Sequence, residues 1–226
     1  MTANAEPQGF IKKRKGSTLM QVAYNEIRES IITNTIKPGD VLSEQQIAQE
    51  LNISRTPVRE ALAILESEGL VEIRRGIGAF VKPLSYEDIL NIFEVRRPLE
   101  ELAVNSAIHF ITEDDIRTMR ERFTAMLAQC ENNEPMDAAK FASLDADFHD
   151  MIIERSKNPY VQRFMRTINS NVRRIQMMVR IINDPRDAVV QHLRLLDLME
   201  KRDLAGLQAE LEDHINVALQ SFSKDN

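Results

Sequence analysis

Two groups of side chains in this 226-residue chain have the types and spacing to do chemistry. In the second half, Asp145 and His149 stand four residues apart, so on a helix they share one face and address one point. That is the usual geometry for two ligands of a metal ion. His192 and His214 fall on two later helical segments, and in an antiparallel bundle both can reach the same interior point. One carboxylate with three imidazoles suits a divalent ion such as zinc, nickel, manganese or iron, with imidazole favouring the first two. Taken singly, each histidine reads as well as a half-buried, hydrogen-bonded helix residue.

The second group lies in Ser54-Arg55-Thr56-Pro57-Val58-Arg59-Glu60-Ala61-Leu62. Arg55 and Arg59 are four apart on the helix face opposite the apolar stripe, so they project together. At the start of a recognition helix two arginines can reach guanine O6 and N7 or phosphate oxygens, and the helix dipole adds attraction for the anionic backbone. Thr56 sits at the same edge, and Gly76 in a later turn can approach a minor groove closely. Spacing alone equally allows an ordinary surface helix whose arginines pair with Glu60 or Glu66.

The elements that must carry these residues are legible from periodicity. Leu19, Ala23, Ile27 and Ile31 recur at fourfold spacing and mark a first helix that stops near Lys37-Pro38-Gly39-Asp40. Ser43 with Gln46 matches a capping box for a short second helix bearing Ile47, Ala48 and Leu51. Asn52-Ile53 turns the chain. Ser54 can cap a third helix with Pro57 in its first turn and Val58, Ala61, Leu62 and Leu65 as its stripe, and Gly69 ends it. Leu70-Val71-Glu72-Ile73 and Ala79-Phe80-Val81 are β-prone runs around Arg74-Arg75-Gly76-Ile77-Gly78, a hairpin in which glycine supplies the positive φ. Beyond the linker 83–85, with Ser85 and Asp88 as a helix start, everything reads as helix: 86–110, 113–130, 136–156, 159–182, 186–201 and 204–222. The fold class is therefore mainly α: a winged helix-turn-helix with a small β-hairpin wing over 17–82, then an antiparallel all-helical bundle over 86–222. Residues 223–226 are a tail. Met151, Met177 and Met178 read as gap-fillers of that bundle.

Composition limits the function classes. With 43% hydrophobic residues the chain can bury one large core or two modest ones. The single cysteine, Cys130, excludes an internal disulfide, and no apolar stretch resembles a secretory segment or approaches the roughly 20 residues needed to cross a bilayer. Both point to the cytoplasm and away from membranes. The net charge of −6 at first argues against nucleic acid. Residues 1–82, however, carry 11 Lys and Arg against 10 Asp and Glu, and the remainder 18 against 25, so any nucleic-acid surface belongs to the first third. Residues 1–16 contain Lys12-Lys13-Arg14-Lys15 and read as a mobile basic arm, either a solvated tail or a phosphate contact.

The stretch Pro38-Gly39, Leu42-Ser43-Glu44, Ile47-Ala48, Leu51, Ser54 to Leu62, Leu65 and Glu68-Gly69-Leu70-Val71 closely resembles the winged-helix signature of the GntR family of regulators. The resemblance implies that Arg55, Thr56, Arg59 and the wing glycine Gly76 contact a short inverted-repeat operator in double-stranded DNA as part of a homodimer. One departure is Gln45, where some members carry an arginine. Residues 86–222 are similar to the FCD effector domain, with Asp145-Ala146-Asp147-Phe148-His149 as its Asp-x-x-x-His motif and His192, Leu195, Arg202-Asp203, Ala205 and His214 as its later motif. That likeness implies a divalent metal (zinc, nickel or manganese) held by Asp145, His149, His192 and His214 beneath an effector pocket. It also implies that Arg96, in an Arg-x-x-x-Glu pair with Glu100, faces a small organic acid; by spacing alone the two could be a surface pair. His109 has no counterpart. An alternative is a metal-dependent hydrolase, since His149-Asp150 in an all-helical domain resembles HD-type phosphohydrolases, but it leaves residues 17–82 unexplained.

Overall fold

A computed structural model describes residues 18–132, 137–179 and 185–223. The expected basic arm lies outside the described residues, as do residues 224–226 of the expected tail, the expected helix start at Met136 and the expected helix end at Ile182. The chain divides into two compact units after Pro83.

The first unit runs α1 (Leu19–Ile32), β1 (Val41–Leu42), α2 (Glu44–Glu50), α3 (Arg55–Ser67), β2 (Val71–Arg74) and β3 (Gly78–Val81). Ala23, Ile27 and Ile31 of α1 pack with Val58, Ala61, Leu62 and Leu65 of α3 into one core, as the fourfold spacings require. Thr18 and Ser43 cap α1 and α2 by accepting the N–H of the third helical residue. Ser54 precedes α3, but its hydroxyl makes no cap hydrogen bond, contrary to expectation. The reason is local: the third helical residue is Pro57, which has no N–H to give. Gly69 (φ 74°) then reverses the chain into β2.

The sheet has three antiparallel strands in the order β1-β3-β2. Val71 pairs with Val81 and Arg74 with Gly78, so the hairpin is one residue longer at its tip than the apolar runs indicate, and Gly76 (φ 75°) occupies the turn. β1 is unforeseen, a two-residue strand that pairs Leu42 with Ala79. Glu66 of α3 accepts the backbone N–H of Ile73 at 3.0 Å, fastening the wing to that helix.

The second unit contains α4 (Tyr86–Ala107), α5 (Glu113–Glu131), α6 (Ala138–Arg155), α7 (Pro159–Val179), α8 (Pro185–Glu200) and α9 (Leu204–Ser223). Capping boxes start α4 (Ser85, Asp88) and α5 (Thr112, Asp115). Helix α4 packs on α6, α7 and α9, while α5 and α9 flank α8, around a core of Phe93, Phe123, Phe148, Ile152, Met165, Leu195 and Leu211 among others. Arg202, in the α8–α9 turn, donates to the carbonyls of Ile108 and Ile111 just beyond α4, at 2.5 and 2.8 Å, where a cation also complements the helix dipole. No helix among the described residues is long and apolar enough to cross a membrane.

Asp115 both caps α5 and binds Arg155 of α6 at 2.7 Å. Burial opposes its ionisation, but Arg155 and the Thr112 donors outweigh it and hold its carboxyl below the ordinary 3.8. Because the folded pKa is depressed, the stabilisation is complete above the unfolded value and is lost as pH falls below it. Asp115→Ala is expected to cost about 1–2 kcal/mol at pH 7. Urea unfolding at pH 7 and pH 3 checks this, since the difference from wild type should shrink at the lower pH.

Candidate metal centre and nucleic-acid interface

Four helix positions converge inside the second unit. Asp145 and His149 come from consecutive turns of α6, His192 from α8 and His214 from α9, and one ligand atom from each lies within 4.8 Å of all the others. All four residues are buried. The contacts are 3.2 Å from His192 Nε2 to Asp145 Oδ1, 3.9 Å from His149 Nε2 to the same oxygen and 4.0 Å from His214 Nε2. The two facing Nε2 atoms of His149 and His214 are 3.3 Å apart.

The outer nitrogen of each ring has an oxygen neighbour. His149 Nδ1 lies 2.6 Å from Glu100 Oε2, His192 Nδ1 lies 2.7 Å from the Ala188 carbonyl, and His214 Nδ1 lies 3.3 Å from Gln191 Oε1. Each of those oxygens can accept, and where Nδ1 donates to it the neutral ring has its lone pair on Nε2, free for a cation. His192 Nε2 accordingly is buried with no hydrogen-bond partner although it faces a carboxylate. Burial above all pushes the His214 imidazole well below its ordinary pKa, keeping the ring neutral. Three nitrogen lone pairs and a carboxylate oxygen turned toward one another fit a divalent cation between them. Carbonyl or carboxylate acceptors on the outer nitrogens are the arrangement by which metal-binding histidines are oriented. Phe123 stacks on His192 at 4.4 Å and Phe148 meets it edge-on at 4.9 Å, so packing fixes that ring as well.

Around this set lies a second layer of charge. Arg96 and Glu100 are 2% and 0% exposed and form a 2.5 Å contact; they are a buried pair, not a surface one. Burial alone would raise the Glu100 carboxyl, but Arg96 and His149 outweigh it and hold it at about 2. Asp145 is likewise well below the usual carboxylate range, with burial opposing this and the positive charge of Arg96 among the neighbours that favour it. Gln176 of α7 donates to Asp145 Oδ2 at 2.9 Å. Asp150 is exposed and accepts from Asn169 at 2.6 Å, outside the cluster, which removes the basis for an HD-type site. His109 also stands outside it, on a surface pocket with Ile108, Arg202 and Leu204.

In the first unit, Arg55, Thr56 and Arg59 are exposed on α3, and Gly76 is exposed at the wing tip. The two arginines meet, but not through Glu60 or Glu66. Both bind Glu44 of α2: Arg59 Nε and Nη2 at 3.1 and 2.8 Å, and Arg55 Nη2 at 3.0 Å. Glu66 is engaged with the Ile73 N–H instead. Sequence reasoning missed Glu44, Gln176 and Gln191, because each acts on a residue at least 11 positions away on another helix and no spacing rule reaches that far.

Glu100→Gln leaves the Arg96 guanidinium buried against a neutral amide and deprives His149 of its charged acceptor. The variant is expected to lose about 3–5 kcal/mol of stability, to be measured by urea unfolding at pH 7.

Comparison with known proteins places both units. Residues 19–81 match the bacterial regulatory proteins of the gntR family, and residues 91–217 match the FCD domain. The chain is 26% identical over 202 residues to the HTH-type transcriptional repressor RspR of Escherichia coli, covering 89% of this chain and 87% of that one. It is 35% identical over 148 residues to the gluconate operon transcriptional repressor of Bacillus subtilis, covering 66% and 59%. The solved structure of E. coli McbR/YncC superposes with a TM-score of 0.79 at 20% identity, covering 92% of this chain and 98% of that one, and so shares its fold. The chain therefore belongs to the gntR family of bacterial regulatory proteins, with an FCD domain behind its winged helix, and is a DNA-binding transcriptional regulator and not an enzyme.

Proposed function

We propose that this regulator acts in the cytoplasm as a homodimeric repressor on an inverted-repeat operator, and that a small carboxylate controls its grip on DNA. The observation that carries the reading is the convergence of one ligand atom from each of His149, His192, His214 and Asp145, all buried, within 4.8 Å. Asp145, His149, His192 and His214 would hold a divalent ion, zinc, nickel or manganese. Such an ion offers Lewis-acid positions to the oxygens of a hydroxy acid. Arg96, steadied by Glu100, takes the acid's remaining oxygens through its planar guanidinium. The name of the Bacillus relative links it to gluconate, a sugar acid of this chemical class.

In the first unit, Arg55 and Arg59 read base edges in the major groove, Thr56 and the open first turn of α3 receive phosphate, and Gly76 lets the wing backbone approach the minor groove. Two chains related by a two-fold axis present two such surfaces, hence the inverted repeat. The acid can weaken DNA binding only if it binds the DNA-free state better, so operator must lower acid affinity by the same factor.

Arg59→Ala is expected to reduce operator affinity by about 1–3 kcal/mol, measured by fluorescence anisotropy on a duplex selected from a random pool. A pool that yields no inverted repeat overturns the DNA reading. For the second unit, elemental analysis should find one divalent ion per chain, and chelation should lower the melting temperature. His192→Ala should remove that ion and the response of DNA binding to hydroxy acids; an acid acting equally on both proteins overturns the metal-centred mechanism.

A further inference from the structure

Glu44 is the first residue of α2, yet its carboxylate lies between the two arginines of α3. Its Oε2 is shared, 3.0 Å from Arg55 Nη2 and 2.8 Å from Arg59 Nη2, while Oε1 takes Arg59 Nε at 3.1 Å. The two arginine side chains remain 61% and 65% exposed, against 26% for Glu44, so the carboxylate is behind guanidiniums that still face outward.

The edge of Arg59 that is used matters. A guanidinium has five N–H groups along a side edge (Nε, Nη) and an end edge (Nη1, Nη2). Glu44 occupies the side edge of Arg59. Both N–H groups of Nη1 and one of Nη2 are then left for the end-on pairing by which arginine reads guanine O6 and N7. Arg55 spends a single Nη2 contact on the same carboxylate. Free arginine side chains carry large rotamer entropy, which is lost when they bind a base; here part of that ordering is already present without DNA. The Glu44 carboxyl is held below its ordinary pKa, chiefly by the hydrogen bond from Arg59, so it keeps its charge at neutral pH.

We infer that Glu44 is a positioning residue for sequence recognition: it aligns Arg55 and Arg59 side by side for adjacent base edges, at the cost of one negative charge close to the DNA. The inference rests on the reading that α3 contacts bases. It makes an unusual demand, because removing an acidic group near DNA ordinarily strengthens binding to every sequence by lowering repulsion. A positioning carboxylate must instead show opposite effects on the two kinds of site.

The test is full-length protein with Glu44→Gln and Glu44→Ala, titrated against the selected operator and a scrambled duplex of equal length at several salt concentrations, with Arg59→Ala in parallel. Thermal unfolding of each variant confirms that it is folded. Glu44→Ala is expected to bind the operator on the order of ten-fold more weakly, and the scrambled duplex as well as wild type or better, so the specificity ratio collapses. Glu44→Gln, which keeps one acceptor oxygen without the charge, should fall between. If both duplexes are bound more tightly by one common factor, Glu44 is only a repelling charge and the inference is wrong. If Arg59→Ala lowers the ratio while both Glu44 variants leave it unchanged, the positioning role fails and the base-reading role of α3 stands. If Arg59→Ala also leaves the ratio unchanged, the reading beneath it fails.

Discussion

Burying one carboxylate and three imidazoles at a single point of a helical bundle is costly unless every polar atom finds a partner. The second unit is organised around meeting that condition. The outer nitrogens of His149, His192 and His214 are each answered by an oxygen from a different source: the Glu100 side chain, the helix backbone at Ala188 and the Gln191 amide. Glu100 is itself buried and charged, so Arg96 lies beside it. The inner nitrogens are the remainder that this pattern leaves. They face Asp145, and a cation held between them would satisfy all of them together. The aromatic residues Phe123 and Phe148 fill the apolar volume beside His192, one stacked on the ring and the other edge-on to it.

A comparable economy governs the first unit. Pro57, the third residue of α3, fixes a backbone angle in the first turn and removes the donor that Ser54 would otherwise bind, so the serine hydroxyl at the helix start is not consumed by a cap. Behind that exposed turn, Glu44 from α2 and Glu66 toward the wing tie α3 to its neighbours by side-chain contacts on two sides. Helix α3 is thus framed by carboxylates that tie it to its neighbours, while Arg55 and Arg59 face outward.

Much of this could be read along the chain. Val58, Ala61, Leu62 and Leu65 announce α3 by their period, and the same period puts Asp145 and His149 on one face of α6. Glycines 69 and 76 mark turns because their positive φ is needed there. What stayed hidden depends on tertiary approach. β1 is two residues long, too short for alternation to register. Ser54 is a good capping residue by type, and only the identity of the third helical residue explains why it does not cap. The spacing of Arg96 and Glu100 describes a surface pair as well as a buried one, and only their 2% and 0% exposure decides. Glu44 is separated from its arginines by a turn and a helix boundary, so local periodicity favoured Glu60 and Glu66 as partners.

Arg202 has a mechanical consequence for the bundle. By gripping the carbonyls of Ile108 and Ile111 it pins the chain at the far end of α4 to the turn that joins the helices bearing His192 and His214. A helix fastened at one end resists sliding along its axis, so a displacement within it is a tilt about that point. Glu100 lies 8 residues from that fulcrum and Ser85 lies 23, so at a constant rise per residue a sideways displacement at Glu100 is magnified about threefold at Ser85. Ser85 is the N-cap of α4, two residues past the end of the first unit. A shift of a few tenths of an ångström at the buried Arg96–Glu100 pair would then become, at the Ser85 end of α4, a movement approaching an ångström.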